Sequence, residues 1–210
     1  MKKSPWPLLF ALTLFLLGCA QVPLDLQRFD PIVDRPQKTI FLKDNEPYLA
    51  FEDRTVKVSA ALFEYNTVIV IPLEITNRTG QDIVAADYTI ALADGRDRKP
   101  VRLISRDDLV KIKEKYSGGG GSSSALQDQV IETTITSLMN AVNLPTKDRL
   151  IRIIDQGIDQ YFEFRPVYAR ETRTGVLCFV PDFKLEYPLT LDLKVKGELI
   201  DLQFNPRMKK

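Results

Sequence analysis

Strict alternation of apolar and polar residues, returning in segment after segment, is what most constrains how this chain can fold. Ile69, Ile71, Leu73 and Ile75 keep one parity while Glu74 and Thr76 take the other. Val56, Val58, Ala60 and Leu62 alternate with Lys57 and Ser59, and Leu189, Leu191, Leu193 and Val195 with Thr190, Asp192 and Lys194. Successive side chains of a strand point to opposite faces, so a period of two marks a strand with one face on a core. Tyr88, Ile90 and Leu92 form another inward set, stopped by Asp94-Gly95; Ile200, Leu202 and Phe204 follow the turn Lys196-Gly197 and complete a hairpin. Thr39–Leu42 and Val101–Ile104 add candidates, and Val176–Val180, apolar on both parities, reads as a central strand. Pro72 has no N–H to donate, which predicts an edge position or a bulge for the strand that carries it. Seven or eight short strands joined by Gly, Asn and Asp turns predict a mainly β domain, a two-layer antiparallel sandwich over residues 38–205.

Between Ile104 and Gly175 the period changes. Ser105 with Asp108 three residues on offers an N-cap and an acidic first turn to a helix running to Tyr116. A Gly/Ser run, 117–124, has no side chain able to pack and reads as a linker. Leu126, Val130, Ile131, Ile135, Leu138, Met139 and Val142 then recur at helical spacing, Leu144-Pro145 ends that pattern, and Leu150, Ile153, Ile154, Ile158, Tyr161 and Phe162 form a further stripe. A helical insertion of two or three helices, 105–165, is therefore expected on the sandwich, its stripes buried on the same domain or, in the alternative reading, one stripe or the Gly/Ser loop docking a partner.

Composition narrows the chemistry. Basic and acidic residues number 29 and 28, for a net charge of +1, so no field of one sign is available to hold nucleic acid. The chain contains no histidine, which removes the commonest general base and metal ligand together. Cys178 lies among apolar neighbours without a local base, where a thiol is inert. Asp107-Asp108, Glu52-Asp53 and Asp94/Asp97 pair carboxylates, yet none follows a calcium-loop pattern, and Asp94-Gly95-Arg96-Asp97 reads as a hairpin turn. Gly118–Gly121 lacks the Lys-Ser/Thr of a phosphate loop. No cofactor, metal site or catalytic residue is expected, although two distant carboxylates acting as in a glycosidase stay open on spacing alone.

The first nineteen residues read as three zones: Lys2 and Lys3, an apolar run Leu8–Leu17, and Leu16-Leu17-Gly18-Cys19. The run is shorter than the ~20 apolar residues of a permanent span and has the flanks of a signal peptide. Its ending resembles the lipobox of bacterial lipoproteins. The resemblance implies removal of residues 1–18, diacylglycerol on the thiol of Cys19, and anchoring to a bilayer by acyl chains. Ala20, where such proteins carry aspartate for retention in the inner membrane, implies the outer membrane, with the domain facing the periplasm. Pro23, Pro31 and Pro36 mark residues 19–37 as lipidated terminus and tether.

A second likeness lies in the body. The phrase Val70-Ile71-Pro72-Leu73-Glu74-Ile75-Thr76-Asn77-Arg78-Thr79-Gly80, followed by Tyr88–Gly95 and later by Gly175–Pro181, is similar to the immunoglobulin-like accessory domains of bacterial lipoproteins. Over about half the mature chain this implies a fold and a habit of binding envelope components, and transfers no catalytic residue. Tyr161, Phe162, Phe164, Arg165, Tyr168, Arg170 and Arg173 combine aromatic rings with arginines, the composition of interaction hot spots, and are the candidate partner-binding residues. The expected role is a non-catalytic, membrane-anchored module that binds or scaffolds another envelope protein. A binder of a small hydrophobic ligand between helices and sheet is the alternative, and a cell-envelope hydrolase a more distant one.

Overall fold

The computed structural model describes residues 26–65, 68–95, 97–117 and 147–208. The leader with Cys19, the expected helix 126–142 and residues 118–124 of the Gly/Ser run lie outside them. The protein is mainly β, and the described residues form one antiparallel sheet of 11 strands. These are β1 (Leu26–Ile32), β2 (Lys38–Lys43), β3 (Glu46–Glu52), β4 (Val56–Ala60), β5 (Phe63–Tyr65), β6 (Val68–Asn77), β7 (Tyr88–Asp94), β8 (Lys99–Leu103), β9 (Thr172–Val180), β10 (Leu189–Val195) and β11 (Glu198–Pro206). Among the described residues two helices, α1 (Arg106–Ser117) and α2 (Lys147–Asp159), lie between β8 and β9.

The pairings close on themselves. From β6 the hydrogen-bonded order runs through β5, β1, β11, β10, β7 and β8 to β9, and β9 pairs back onto β6. β4, β3 and β2 extend from β6 as a flange. Closure leaves few unpaired edges, and the inward residues fill the ring: Ile69, Ile71, Leu73 and Ile75 of β6, Leu177 and Phe179 of β9, and the alternating sets of β10 and β11 share one core. The hairpin β10–β11 turns at Lys196 and Gly197, both at positive φ, as the Lys-Gly sequence predicts.

Three strands exceed the expected seven or eight. β1 falls where a tether was expected: Leu26–Ile32 pairs with β5 and β11, and Phe29 is buried in the core. Pro31 is harmless there. The Arg207 amide donates to the Arg28 carbonyl at 2.8 Å, so by ladder alternation Arg28, Asp30 and Ile32 face β11 while Pro31 turns its missing donor to the other side, past the end of β5. β3 escapes the period-two test because Leu49, Ala50 and Phe51 are all buried. β5 is a continuation of β4 in the same register along β6.

Pro72 accordingly corrects a second expectation. β6 is an interior strand, with β9 on one edge and β4 and β5 on the other, and it carries no bulge. The Ala61 amide donates to the Pro72 carbonyl at 3.3 Å, and the return bond is the one proline cannot make; the break between β4 and β5 at residues 61–62 sits opposite it. One lost bond replaces the lost edge.

The expected N-cap forms, with Ser105 Oγ accepting from the Asp108 amide at 3.1 Å. Leu109, Ile112 and Ile154 pack with Val68, Cys178 and Val180 in a second cluster on the outer face of β6 and β9. β9 is thus apolar on both parities because one face meets the core and the other meets helices. Gly157 permits this approach: a Cβ there stands 3.3 Å from Cys178 Sγ. The stripe of α2 ends earlier than expected. The helix stops at Asp159, and Phe162 leaves it to enter the main core.

Candidate functional site

The outward residues of β6 and β9 change character along the strands. Val68 and Val70, with Cys178 and Val180, lie beneath the helices; Pro72 and Glu74, with Thr174, do not. The uncovered half is the floor of an open groove of about 810 Å³. Lys43 and Tyr48, from the end of β2 and from β3, line it, as does the chain leaving α2 from Ile158 to Arg165.

That exit segment is fixed by backbone contact. The Phe162 amide donates to the Val176 carbonyl at 2.9 Å and the Val176 amide to the Gln160 carbonyl at 2.7 Å, giving a short parallel bridge to β9. Gly175 makes room for it, since a Cβ there falls 2.5 Å from Phe162 Cα. Tyr88 closes the far side, edge-on to Phe162 and stacked on Phe164, with its hydroxyl donating to the Arg165 carbonyl at 2.5 Å.

The groove carries both signs of charge. Lys43 lies 3.4 Å from Glu74, Arg165 Nε 2.7 Å from Glu163, and Arg173 3.2 Å from Glu171. Arg106 donates through Nε to the Ile158 carbonyl at 3.3 Å. Burial pushes the phenols of Tyr48 and Tyr161 upward, with help from Asp44, Glu74 and Glu46 at Tyr48 and from Cys178, Asp108 and Asp107 at Tyr161. Both stay protonated at neutral pH; Tyr161 spends its one O–H on the Ile104 carbonyl at 3.2 Å, which leaves Tyr48 as the phenol donor to a ligand. Such a surface matches a ligand offering carbonyls and charges of both signs, the pattern of an extended peptide; it is neither an apolar cavity nor a one-signed patch.

Tyr161, Arg165 and Arg173 are the sequence candidates that meet here. Phe162 is not a contact residue: it is fully buried, and its selection from the aromatic and arginine composition of this stretch is corrected by its place in the core. Phe164 is spent partly on Tyr88. Tyr168 and Arg170 belong to the turn that starts β9, held by the Tyr168 amide on Glu171 Oε2 at 2.8 Å, with Arg170 at φ +62°. Lys43, Tyr48, Glu74 and Glu163 line the groove without having been singled out. Gly175 was the available signal, since a glycine within a strand marks a close approach of other backbone.

Burial pushes the Cys178 thiol up to about 12, and it lies under the helices, away from the groove. No group of three or more His, Cys, Asp or Glu side chains is placed to hold a metal ion among the described residues. A smaller depression of about 540 Å³ lies over Phe183 and Tyr187, where the Tyr187 hydroxyl donates to Glu64 at 3.4 Å and Lys99 Nζ sits 3.6 Å over the Phe183 ring. Among the described residues no helix is long and apolar enough to cross a membrane. No protein-family model and no curated protein matches this sequence.

Proposed function

We propose that this chain is a lipid-anchored envelope protein whose β domain captures an extended segment of another envelope protein in the groove over β6 and β9. Acylation of Cys19 holds it to the outer membrane on the periplasmic side, and the role is binding rather than catalysis. The observation that carries the binding half is the groove itself: open, floored by strands, and lined by paired charges and two protonated tyrosines. The reading as an immunoglobulin-like sandwich draws support from the β10–β11 hairpin and the shared core between opposed strands, while closure through β9 and β6 elaborates on an open sandwich.

A photo-crosslinking residue at Glu163, half-buried in the groove wall, is expected to trap a specific protein in intact membranes. The same group at exposed Lys194 on β10 should trap none or different ones. Arg165→Glu should reduce the Glu163 adduct with the fold unchanged, and identical adducts from both positions would defeat the groove assignment. For the anchor, Cys19→Ser is expected to release the protein into the soluble periplasm; continued sedimentation with membranes would contradict lipid attachment.

A further inference from the structure

Among the described residues every strand but one pairs on both sides; β2 pairs with β3 alone. Natural sheet edges are guarded by central lysines, prolines or bulges. The middle of β2 instead exposes Ile40 by 49%, Phe41 by 37% and Leu42 by 71%, so both faces of the strand carry exposed apolar side chains, with Lys57 Nζ 5.9 Å from the Phe41 ring on one of them. The lysines at its ends are engaged within the protomer, Lys38 by Asp34 and Asp201 and Lys43 by Glu74.

The ladder shows which backbone groups are free. The turn Asp44-Asn45 has both residues at positive φ, which makes Lys43 and Glu46 a hydrogen-bonded pair. At the other end the Glu52 amide donates to the Gln37 carbonyl at 3.1 Å, with the same parity. Odd-numbered residues of β2 therefore spend their amides on β3, while Ile40 and Leu42 aim theirs outward.

We propose that β2 joins two copies of this chain, strand against strand and antiparallel, across a twofold axis at Phe41. Bonding across the free edge must match even residues with even ones. The Phe41-centred register does so by exchanging both backbone bonds between Ile40 and Leu42 of the partner subunit, and again by symmetry. Phe41 then faces Phe41 of the partner subunit in a close, non-hydrogen-bonded pair, and Tyr48, 5.5 Å from Phe41, lengthens the aromatic row. Lys43 meets Thr39 of the partner subunit, and Asp44 meets the backbone at Lys38 of the partner subunit. Each Lys38 side chain is buried on Asp34 and Asp201 of its own chain, so no like charges oppose. This self-complementarity of parity and apolar surface, with no like charges opposed, identifies a second copy as the occupant.

The test uses the full chain in detergent, by sedimentation equilibrium and by disulfide trapping. The parent should be a dimer, and oxidised Phe41→Cys should form a bond that peptide mass mapping places between the two introduced cysteines, a geometry suited to a disulfide. Ile40→Pro removes only an outward amide and should yield folded monomer. Should proline distort β2, Ile40→Lys is expected to raise the dimer dissociation constant at least ~10-fold with an unchanged circular dichroism spectrum. The proposal fails if the parent is monomeric at ~100 μM, or if the dimer survives Ile40→Lys and Phe41→Cys gives no bond between introduced cysteines. It equally fails if a different protein takes the edge while the chain stays monomeric.

Discussion

Gly175→Ala is the sharpest test of how the groove wall is built. The added Cβ would stand 2.5 Å from Phe162 Cα and 2.8 Å from Phe162 N, atoms of backbone that cannot swing aside. Ordinary contact requires a retreat of about 1 Å. That retreat stretches the Phe162–Val176 and Val176–Gln160 hydrogen bonds, now 2.9 and 2.7 Å, beyond useful length. Two bonds at about 1 kcal/mol each, added to overpacking of about 1–2 kcal/mol, give a loss of about 3–4 kcal/mol. For a domain of this size that lowers Tm by about 6–16 °C. Urea or thermal unfolding reads the loss, and hydrogen exchange at the Phe162 and Val176 amides reads its place. Gly80→Ala is the matched control, because its Cβ meets nothing within 4 Å and should change stability by less than about 0.5 kcal/mol. A Gly175→Ala protein as stable as that control, with the two amides still protected, would refute the account.

Lys38, with its side chain 1% exposed, holds Asp34 at 2.5 Å and Asp201 at 3.2 Å, and Arg35 reaches Asp201 at 3.0 Å. Each single change leaves a counter-ion in place, Asp34 on Lys38 after Asp201→Ala and Arg35 on Asp201 after Lys38→Met. A loss of about 3 kcal/mol is therefore expected only when Asp34→Ala and Asp201→Ala are combined and Lys38 is left buried alone; a double variant no less stable than either single one in denaturant unfolding would contradict this assignment. The Cys178 thiol, raised to about 12 by burial, should resist iodoacetamide at about pH 8 in the folded protein and react once urea unfolds it, as read by the mass of its peptide. Desolvation opposes ionisation at Asp34 and Asp53, but Lys38 at Asp34, and the Val56 and Thr55 amides at Asp53, outweigh it and hold both carboxyls below their ordinary value. Their contribution is present above the unfolded pKa and disappears as pH falls through the folded one, so stability should decline below about pH 4. Asp34→Asn and Asp53→Asn should each flatten that decline, and an acid limb of unchanged slope in both would argue against it.

Alternation reveals the strands whose two faces meet different surroundings, and an apolar run such as Val176–Val180 reveals one covered on both. In β6, β10 and β11 the alternation is intact because core and solvent, or core and charge, impose opposite demands on neighbouring residues. β3 has three consecutive buried residues and no alternation to detect. β1 and β6 each contain proline, and the rule that proline belongs at an edge describes a single ladder position rather than a strand: Pro31 points past the end of β5, and Pro72 faces the interruption between β4 and β5. The groove was less legible still. Tyr161, Arg165 and Arg173 stand out by composition, but Lys43, Tyr48 and Glu74 join them only through pairings between segments far apart in the chain.

The covered and uncovered halves of the β6–β9 face are nevertheless written in its outward residues, which pass from Val68 and Val70 to Glu74 and Thr76, and from Val180 and Cys178 to Thr174 and Thr172. The helices stop where that polarity changes, because a strand surface of glutamate and threonine gains nothing from an isoleucine stripe. Excising the helical segment is therefore a poor probe of recognition: it would bare Cys178 and Val180, withdraw Phe162 from the core and remove the bridge that shapes the groove, so lost binding would report damage to the domain. Groove positions such as half-buried Glu163 and exposed Arg165 can change charge while Phe162 and Gly175 keep their contact. The strands and the exit segment hold the wall; the charges on its rim are free to select what lies against it.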